Sequence, residues 1–123
     1  MPGETQTLRF MILDDEAIIA IDLAEMLQGL GHSVVSIANR VSGAMEFALH
    51  GDFDMAILDI NVHGAVSFPL AEVLQSRGVP FIFASGYGER GLIEGFRDAF
   101  VLTKPFGVGE LNNMVEKASM RTA

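Results

Sequence analysis

The sequence predicts an α/β protein, with a five-stranded parallel sheet and helices on both of its faces. Short apolar segments of strand length alternate five times with segments whose apolar residues recur every three or four positions, as in an amphipathic helix. The connections are short, and no hairpin turn signal separates neighbouring strand segments. Alternation of this kind favours parallel strands joined by right-handed helical crossovers. The 123 residues, 50% of them hydrophobic, are enough for one domain with a buried core.

The first half of the chain supplies three predicted strands and two predicted helices. The helical spacing of apolar residues up to Leu30 is followed by Gly31, a typical helix stop. The third strand is central, because an apolar run with nothing polar on either face is typical of a strand buried on both sides. The predicted strands are Leu8–Leu13, His32–Ile37 and Met55–Asn61, and the helices are Ala17–Leu30 and Val41–His50.

The second half begins with a predicted loop from Asn61 to Val66. The helix after it tolerates Pro69, because proline fits the first turn of a helix. The segment Tyr87–Ala99 contains three glycines, so that any helix there should be short or mobile. The remaining predicted elements are the helix Phe68–Ser76, the strands Val79–Ala84 and Phe100–Thr103, and a final helix Val108–Met120.

Composition and charge argue against several classes of protein. The net charge of −8, from 16 acidic and 8 basic residues, disfavours direct nucleic-acid binding, which needs clustered Lys and Arg. The chain has no cysteine for a disulfide or a thiolate metal site, and no apolar run of membrane-spanning length. Residues 1–7 are polar, lack the features of a signal peptide and are expected to form a flexible tail. We therefore expect a cytoplasmic protein that does not enter a membrane.

Polar side chains close four of the five predicted strands. In strand order they are Asp14 and Asp15, then Asp59, then Ser85, then Lys104. Because the carboxyl ends of parallel strands share one edge of the sheet, these groups should meet in one cleft. Each of them alone could be an ordinary turn or helix-end residue, but such a coincidence at four strand ends is improbable.

The predicted cleft suits a divalent cation and a phosphoryl group. Crowded carboxylates resist ionisation unless a cation relieves their repulsion. An all-oxygen site with room for water suits Mg²⁺, and the sequence offers neither Cys nor clustered His for a softer metal. A metal and a lysine together can offset the charge on the oxygens of a transferred phosphoryl group. A carboxylate can act as the nucleophile and form an aspartyl phosphate.

Nearly the whole chain, from about Leu8 to Ala118, resembles the receiver domain of bacterial two-component response regulators. The motifs that carry the resemblance are Ile12–Glu16 (ILDDE), Ile57–Asp59 (ILD), Phe83–Gly88 (FASGYG) and Leu102–Phe106 (LTKPF). The resemblance implies a receiver domain over residues 8–120, with a flavodoxin-like fold and the strand order 2-1-3-4-5. It also implies a phosphoprotein that assists its own phosphorylation and dephosphorylation without being an enzyme.

The resemblance assigns roles to the residues of the cleft. Asp59 is the implied phosphoacceptor, Ser85 would donate a hydrogen bond to the phosphoryl group, and Lys104 would pair with it. The implied Mg²⁺ ligands are Asp15 directly, Asp14 largely through water, Asp59, and the backbone carbonyl of Asn61. Two residues that each lie two positions past a site residue are expected to set the phosphoryl lifetime; they are Asn61 and Tyr87.

Two positions depart from the common receiver pattern. Many receivers carry an aromatic switch residue three positions before the lysine, where this chain has Val101, and Phe100 should face the opposite side of the strand. The way in which phosphorylation is reported at the surface is therefore open. Ser85 replaces a common threonine, which keeps the hydroxyl donor. The Phe-Ala-Ser-Gly-Tyr run resembles a subgroup of stand-alone receivers with a Phe-Ala-Thr-Gly signature and an unusual fourth helix.

The resemblance implies a stand-alone receiver that takes its phosphoryl group from a sensor histidine kinase or a phosphotransfer protein. Because the chain ends after the last helix, output is expected through contacts with a downstream protein, or the receiver acts as a phosphate sink. Receivers of this kind often pair through the face of the fourth and fifth elements, so a homodimer through that face is a further expectation.

The sequence leaves other functional interpretations open. A small Mg²⁺-dependent phosphohydrolase would also use an aspartyl nucleophile, but the haloacid-dehalogenase group requires an acid two residues later, where this chain has Asn61. A receiver-like interaction module that does not switch is kept open by Val101. The segment Gly86–Gly91 matches GxGxxG, but it lies late in the chain and is more typical of a mobile loop than of a dinucleotide site. The histidines are interpreted as surface or turn residues: His32, His50 and His63.

Overall fold

The sheet contains five parallel strands in the order 2-1-3-4-5. A computed structural model describes residues 7–86, 96 and 98–121 of the chain. The strands of the sheet, numbered along the chain, are β1 (Arg9–Leu13), β2 (Ser33–Ala38), β3 (Met55–Asp59), β4 (Phe81–Ser85) and β5 (Phe100–Thr103). Every neighbouring pair in the sheet is parallel. The predicted fold class and strand order are confirmed, and the fold is the flavodoxin-like one.

Four helices lie within the part of the chain that the structure describes. They are α1 (Ala17–Gly29), α2 (Val41–His50), α3 (Phe68–Arg77) and α4 (Val108–Arg121). Gly78 ends α3 in the left-handed conformation, with φ of 72°, which is the usual role of a glycine at this position. The segment Tyr87–Ala99, where any helix was expected to be short or mobile, falls largely outside the described residues. Among the residues described, no helix combines the length and the apolar character that a membrane crossing requires.

The core consists of two apolar layers, one on each face of the sheet. Successive residues of β1 alternate between them: Phe10 packs with the layer beneath α1 and α4, and Met11 packs with the layer beneath α2 and α3. The central strand β3 is buried along its whole length. This rigid centre holds the carboxyl ends of β1, β3, β4 and β5 at one edge of the molecule, which we call the carboxyl edge.

The opposite edge, where the strands begin, is closed by ion pairs; we call it the amino edge. The Arg9 side chain donates two hydrogen bonds of 3.1 Å to the carboxylate of Asp54, and its Nη1 lies 2.8 Å from Asp52. The Arg9 backbone N–H adds a 2.8 Å hydrogen bond to the same Asp54 carboxylate. The hydrogen bonds from Arg9 lower the pKa of Asp54. The negative charges of Asp52 and Asp54 are therefore paired with the Arg9 guanidinium, which joins β1 to the residues just before β3.

The interpretation of His32 as a surface or turn residue is wrong. Its ring is only 6% exposed, its Nδ1 accepts a 3.1 Å hydrogen bond from the backbone N–H of Leu8, and it packs against Phe10. Burial lowers the pKa of His32, so that the neutral ring is favoured. A histidine beside a glycine at the start of a strand is typical of a turn, and the requirement of Leu8 for an acceptor is a long-range feature that local sequence does not reveal.

Candidate functional site

The carboxyl edge holds an open cleft of about 510 Å³, which is lined by five of the predicted site residues: Asp15, Asp59, Asn61, Ser85 and Lys104. Asp14 lies just past β1, Asp59 is the last residue of β3, and Ser85 is the last residue of β4. Although these three residues are polar, each is at most 9% exposed. Because the sheet fixes where each strand stops, Asp59 and Ser85 line the cleft, and a carboxylate oxygen of Asp14 lies within 4.8 Å of one of Asp59.

Lys104 joins the carboxylates of this cleft. Its Nζ donates hydrogen bonds to Asp14 Oδ2 at 3.0 Å and to Asp59 Oδ2 at 3.3 Å, and lies 3.7 Å from Glu16 Oε1. The Lys104 backbone N–H donates to the carbonyl of Ser85 at 2.9 Å, and the peptide bond to Pro105 is cis. Burial alone would lower the pKa of Lys104, but its hydrogen bond to Asp14 and the charge of Asp59 raise the pKa overall. The Lys104 ammonium is thus held in place by hydrogen bonds and ion pairs to several carboxylates.

Asp59 is the carboxylate of this cluster whose ionised form is disfavoured by burial. Burial raises the pKa of Asp59 to about 6, and the nearby charges of Asp14 and Asp15 act in the same direction, while Lys104 opposes them. The carboxylate is therefore ionised at neutral pH, although its charge is costly. A second cation in the cleft would relieve this cost.

The donor set of the cleft fits a hard divalent cation. Four acidic residues each offer a carboxylate oxygen, and these oxygens lie within 4.8 Å of one another; the residues are Asp14, Asp15, Glu16 and Asp59. Carboxylate oxygens with solvent access are the ligands that Mg²⁺ prefers, so the residues present fit this ion. Glu16 was not among the metal ligands assigned from the sequence. Its place follows from the turn at the start of α1, where the Glu16 backbone N–H donates a 2.9 Å hydrogen bond to Asp14 Oδ1.

The loop between β3 and α3 contains a small hairpin that the sequence did not predict. Its two-residue strands, Asn61–Val62 and Ala65–Val66, are antiparallel. The turn residues His63 and Gly64 have φ of 51° and 80°, as in a type I′ hairpin turn. Such turns are usually signalled by Asn-Gly or Asp-Gly, and His-Gly is a weaker signal. Asn61 lines the cleft, and the His63 backbone N–H donates to Asp15 Oδ2 at 2.9 Å.

The remaining residues singled out from the sequence lie beside the cleft or outside the described residues. Val101 is half-buried and packs with the α2 and α3 layer, whereas Phe100 packs with the opposite layer. The alternation expected for a strand thus holds, and Val101 is part of the core packing near Phe83. Tyr87 lies outside the described residues.

Sequence and structure comparisons identify the family. The chain is 33% identical over 117 residues to the transcriptional regulatory protein PdtaR of Mycobacterium tuberculosis, covering 92% of this chain and 57% of PdtaR. The solution structure of SdrG from Sphingomonas melonis Fr1 matches with a TM-score of 0.82 and 34% identity, over 92% of this chain and 97% of SdrG. The chain belongs to the response regulator receiver domains. The response regulator PhyR from Brucella abortus shows the same fold, with a TM-score of 0.83 and 29% identity over 96% of this chain and 50% of the PhyR chain.

Membership in the receiver family indicates the general kind of function that the carboxyl edge serves. Receiver domains belong to two-component signalling, generally bind Mg²⁺ and are generally not enzymes. No protein-family model matches the sequence. The chain spans about half the length of PdtaR and of the PhyR chain, so the activities of those whole proteins are not transferred with the receiver.

Proposed function

We propose that this receiver accepts a phosphoryl group on Asp59 from a sensor histidine kinase or a phosphotransfer protein, with Mg²⁺ as cofactor. The observation that carries the proposal is the position of Lys104, whose Nζ bridges Asp14 and Asp59 at 3.0 and 3.3 Å. A buried nucleophile beside a fixed ammonium and further carboxylates is suited to a group that arrives with several negative oxygens.

The transfer starts from the ionised Asp59 carboxylate. One of its oxygens attacks the phosphorus of a phosphohistidine, the P–N bond breaks, and the imidazole leaves with a proton from solvent. An oxygen–phosphorus bond forms at Asp59, so that an aspartyl phosphate replaces the phosphohistidine. Lys104 stabilises the charge on the phosphoryl oxygens, and the Ser85 hydroxyl lies in the same cleft as a hydrogen-bond donor.

The metal ligands we assign are Asp14, Asp15, Asp59 and the backbone carbonyl of Asn61. Mg²⁺, when bound, would offset the negative charge of the carboxylates and of the phosphoryl oxygens. Glu16 is one further carboxylate of the same cluster. Asp14 is nearly buried and hydrogen-bonded to Lys104, so that it is less free to move than the half-buried Asp15.

Two further roles belong to this proposal. Asn61 and Tyr87 set the lifetime of the phosphoryl group, because each follows a site residue by two positions. Val101 replaces the aromatic switch residue, so that output does not depend on the movement of an aromatic ring at that position. The signal passes by contacts with a downstream protein, or the receiver acts as a phosphate sink. A homodimer through the face of the fourth and fifth elements belongs to the same set of proposals.

The test is phosphorylation of the full chain by acetyl phosphate with Mg²⁺, followed by intact-mass measurement. We expect wild type to gain one labile phosphoryl mass, and to lose this gain when the metal is chelated. Asp59→Asn should gain nothing, whereas the control Asp52→Asn, at an exposed carboxylate of the amino edge, should behave as wild type. An equal gain in Asp59→Asn rejects the assignment of the phosphoacceptor. Steady release of phosphate from small phosphoesters over many turnovers would favour a phosphohydrolase instead.

A further inference from the structure

The hairpin Asn61–Val66, which we call the site hairpin, contacts the proposed metal site through Asn61, which lines the cleft, and through the backbone N–H of His63. Val62 is 1% exposed and anchors the hairpin in the core, while the other residues of the hairpin are exposed. Two backbone pairings hold its strands together, Asn61 with Val66 and Val62 with Ala65. An isolated two-stranded hairpin of this size is marginal, so single contacts to the rest of the protein influence its position.

One such contact joins the turn of the site hairpin to the metal-ligand loop. The His63 backbone N–H donates a 2.9 Å hydrogen bond to Oδ2 of Asp15, a residue 48 positions earlier in the chain. His63 adopts a left-handed conformation with φ of 51°, which is unfavourable for a residue with a side chain. The hydrogen bond to Asp15 helps to hold the turn in this unfavourable conformation.

We propose that a divalent cation and the His63 amide compete for the Asp15 carboxylate, which makes the site hairpin a metal-responsive element. This inference rests on the proposed function, in which Asp15 is a metal ligand. A cation bound to Asp15 withdraws electron density from the carboxylate oxygens, and its charge repels the positive end of the His63 N–H dipole. Both effects weaken the hydrogen bond, so that cation binding loosens the turn. By linkage, a loosened turn binds the cation more tightly.

Through the site hairpin, a change at the metal site reaches the protein surface without the movement of an aromatic switch residue. Val66, at the end of the site hairpin, is 45% exposed and lies two residues before the first residue of α3. A change in the hairpin therefore alters an exposed apolar surface beside the cleft. Val101, by contrast, is half-buried against the core.

Two glycines of the chain provide a matched pair of variants. Gly64, in the hairpin turn, has φ of 80°, and Gly78, at the end of α3, has φ of 72°. A Cβ at either position would meet no atom within 4 Å, so that alanine adds backbone strain and no clash. Gly64→Ala strains the turn that carries the hydrogen bond to Asp15. Gly78→Ala applies the same strain away from the cleft and is the control.

The experiment measures Mg²⁺ affinity by calorimetry and amide exchange by NMR, on the full chain. In wild type we expect saturating Mg²⁺ to accelerate exchange of the His63 amide at least about fivefold. We expect Gly64→Ala to bind Mg²⁺ about two- to fivefold more tightly than wild type, and Gly78→Ala to bind it as wild type does.

The contrary outcomes separate the two proposals. If Mg²⁺ binds but the exchange of the His63 amide stays unchanged, the competition is disproved and the metal site stands. If Gly64→Ala and Gly78→Ala shift the affinity equally, the shift is a general effect of strain and the coupling to the hairpin is disproved. If calorimetry detects no Mg²⁺ binding to wild type, both the metal role in the proposed function and the hairpin inference fail.

Discussion

The two edges of the sheet differ in how their charged side chains are paired. At the amino edge, Arg9 faces Asp54 with a two-pronged hydrogen-bonded pair, and the pKa of Asp54 is lowered. At the carboxyl edge, Lys104 is shared among several carboxylates, and burial raises the pKa of Asp59 to about 6. The first edge has its charges satisfied and stabilises the fold. The second holds four clustered carboxylates, whose repulsion the Mg²⁺ of the proposed function would relieve.

The largest effect is expected when the lysine, one of the two cations in this comparison, is replaced by alanine. We expect Lys104→Ala to slow phosphorylation of Asp59 by acetyl phosphate about 100-fold, because the variant loses the fixed charge that stabilises the phosphoryl oxygens. The measurement is the rate of phosphoryl gain by intact mass. Arg9→Ala is the control and should change the rate less than about twofold, although it lowers stability. Equal rates in wild type and Lys104→Ala would show that the ammonium has no part in the transfer.

A smaller effect is expected on stability at the amino edge. Asp54→Ala removes the acceptor of both the Arg9 side chain and the Arg9 backbone N–H. We expect a loss of about 1 kcal/mol in the free energy of unfolding, measured by urea denaturation, because solvent screens this partly exposed pair. Asp52→Ala, whose carboxylate is 88% exposed, is the control and should cost less than about 0.5 kcal/mol. If both variants lose the same free energy, the paired geometry of Asp54 contributes nothing of its own.

The carboxyl edge should show the opposite response to removal of a carboxylate. Because the pKa of Asp59 is raised from 3.8 to about 6, the folded state binds the proton more tightly than the unfolded state. The contribution of Asp59 to stability is therefore favourable in acid and is lost as the pH rises from about 4 to about 6. We expect Asp59→Asn to be more stable than wild type by about 1 kcal/mol at neutral pH without metal, a value discounted for the open cleft.

The pH dependence is the check on Asp59. The difference in free energy of unfolding between wild type and Asp59→Asn should shrink as the pH falls from about 6 to about 4. A difference that stays constant over this range would mean that the charge of Asp59 is not the cause.

The smallest effect concerns His32, at the amino edge. Burial lowers the pKa of His32, so the unfolded state binds its proton more tightly than the folded state. The contribution of the neutral ring is therefore present above the unfolded value of about 6.5 and is lost as the pH falls below it. We expect His32→Gln, which can still accept the Leu8 N–H, to reduce this acid-dependent loss in urea denaturation. An unchanged acid response in the variant would assign the loss to other groups.

Most of the fold is predictable from local patterns. The helix α2 and the strand β5 begin and end where the sequence predicts, because apolar periodicity, glycine stops and strand length are local features. The ends of the other elements differ from the predicted ones by one or two residues. Parallel pairing follows from the helical crossovers, while the order of the strands rests on the family resemblance.

The structural features that the sequence did not predict depend on contacts between residues that are distant in the chain. The burial of His32 depends on the backbone N–H of Leu8, which donates to its ring, and the pairing of Glu16 with Lys104 depends on where β5 ends relative to α1. The hairpin turn at His63 is stabilised by Asp15, which no local pattern reports. In contrast, the convergence of Asp59 and Lys104 could be foreseen, because the shared edge of a parallel sheet is itself a consequence of the fold.

The most direct measurement of the central claim is chemical trapping of the phosphorylated residue. An acyl phosphate is reduced by borohydride to an alcohol, so that a phosphorylated aspartate becomes homoserine, which peptide mass spectrometry can locate. After phosphorylation with Mg²⁺, we expect homoserine at position 59 alone. Homoserine at position 14 or 15 instead, or a labile phosphoryl mass that leaves no homoserine, would contradict the assignment of Asp59 as the phosphoacceptor.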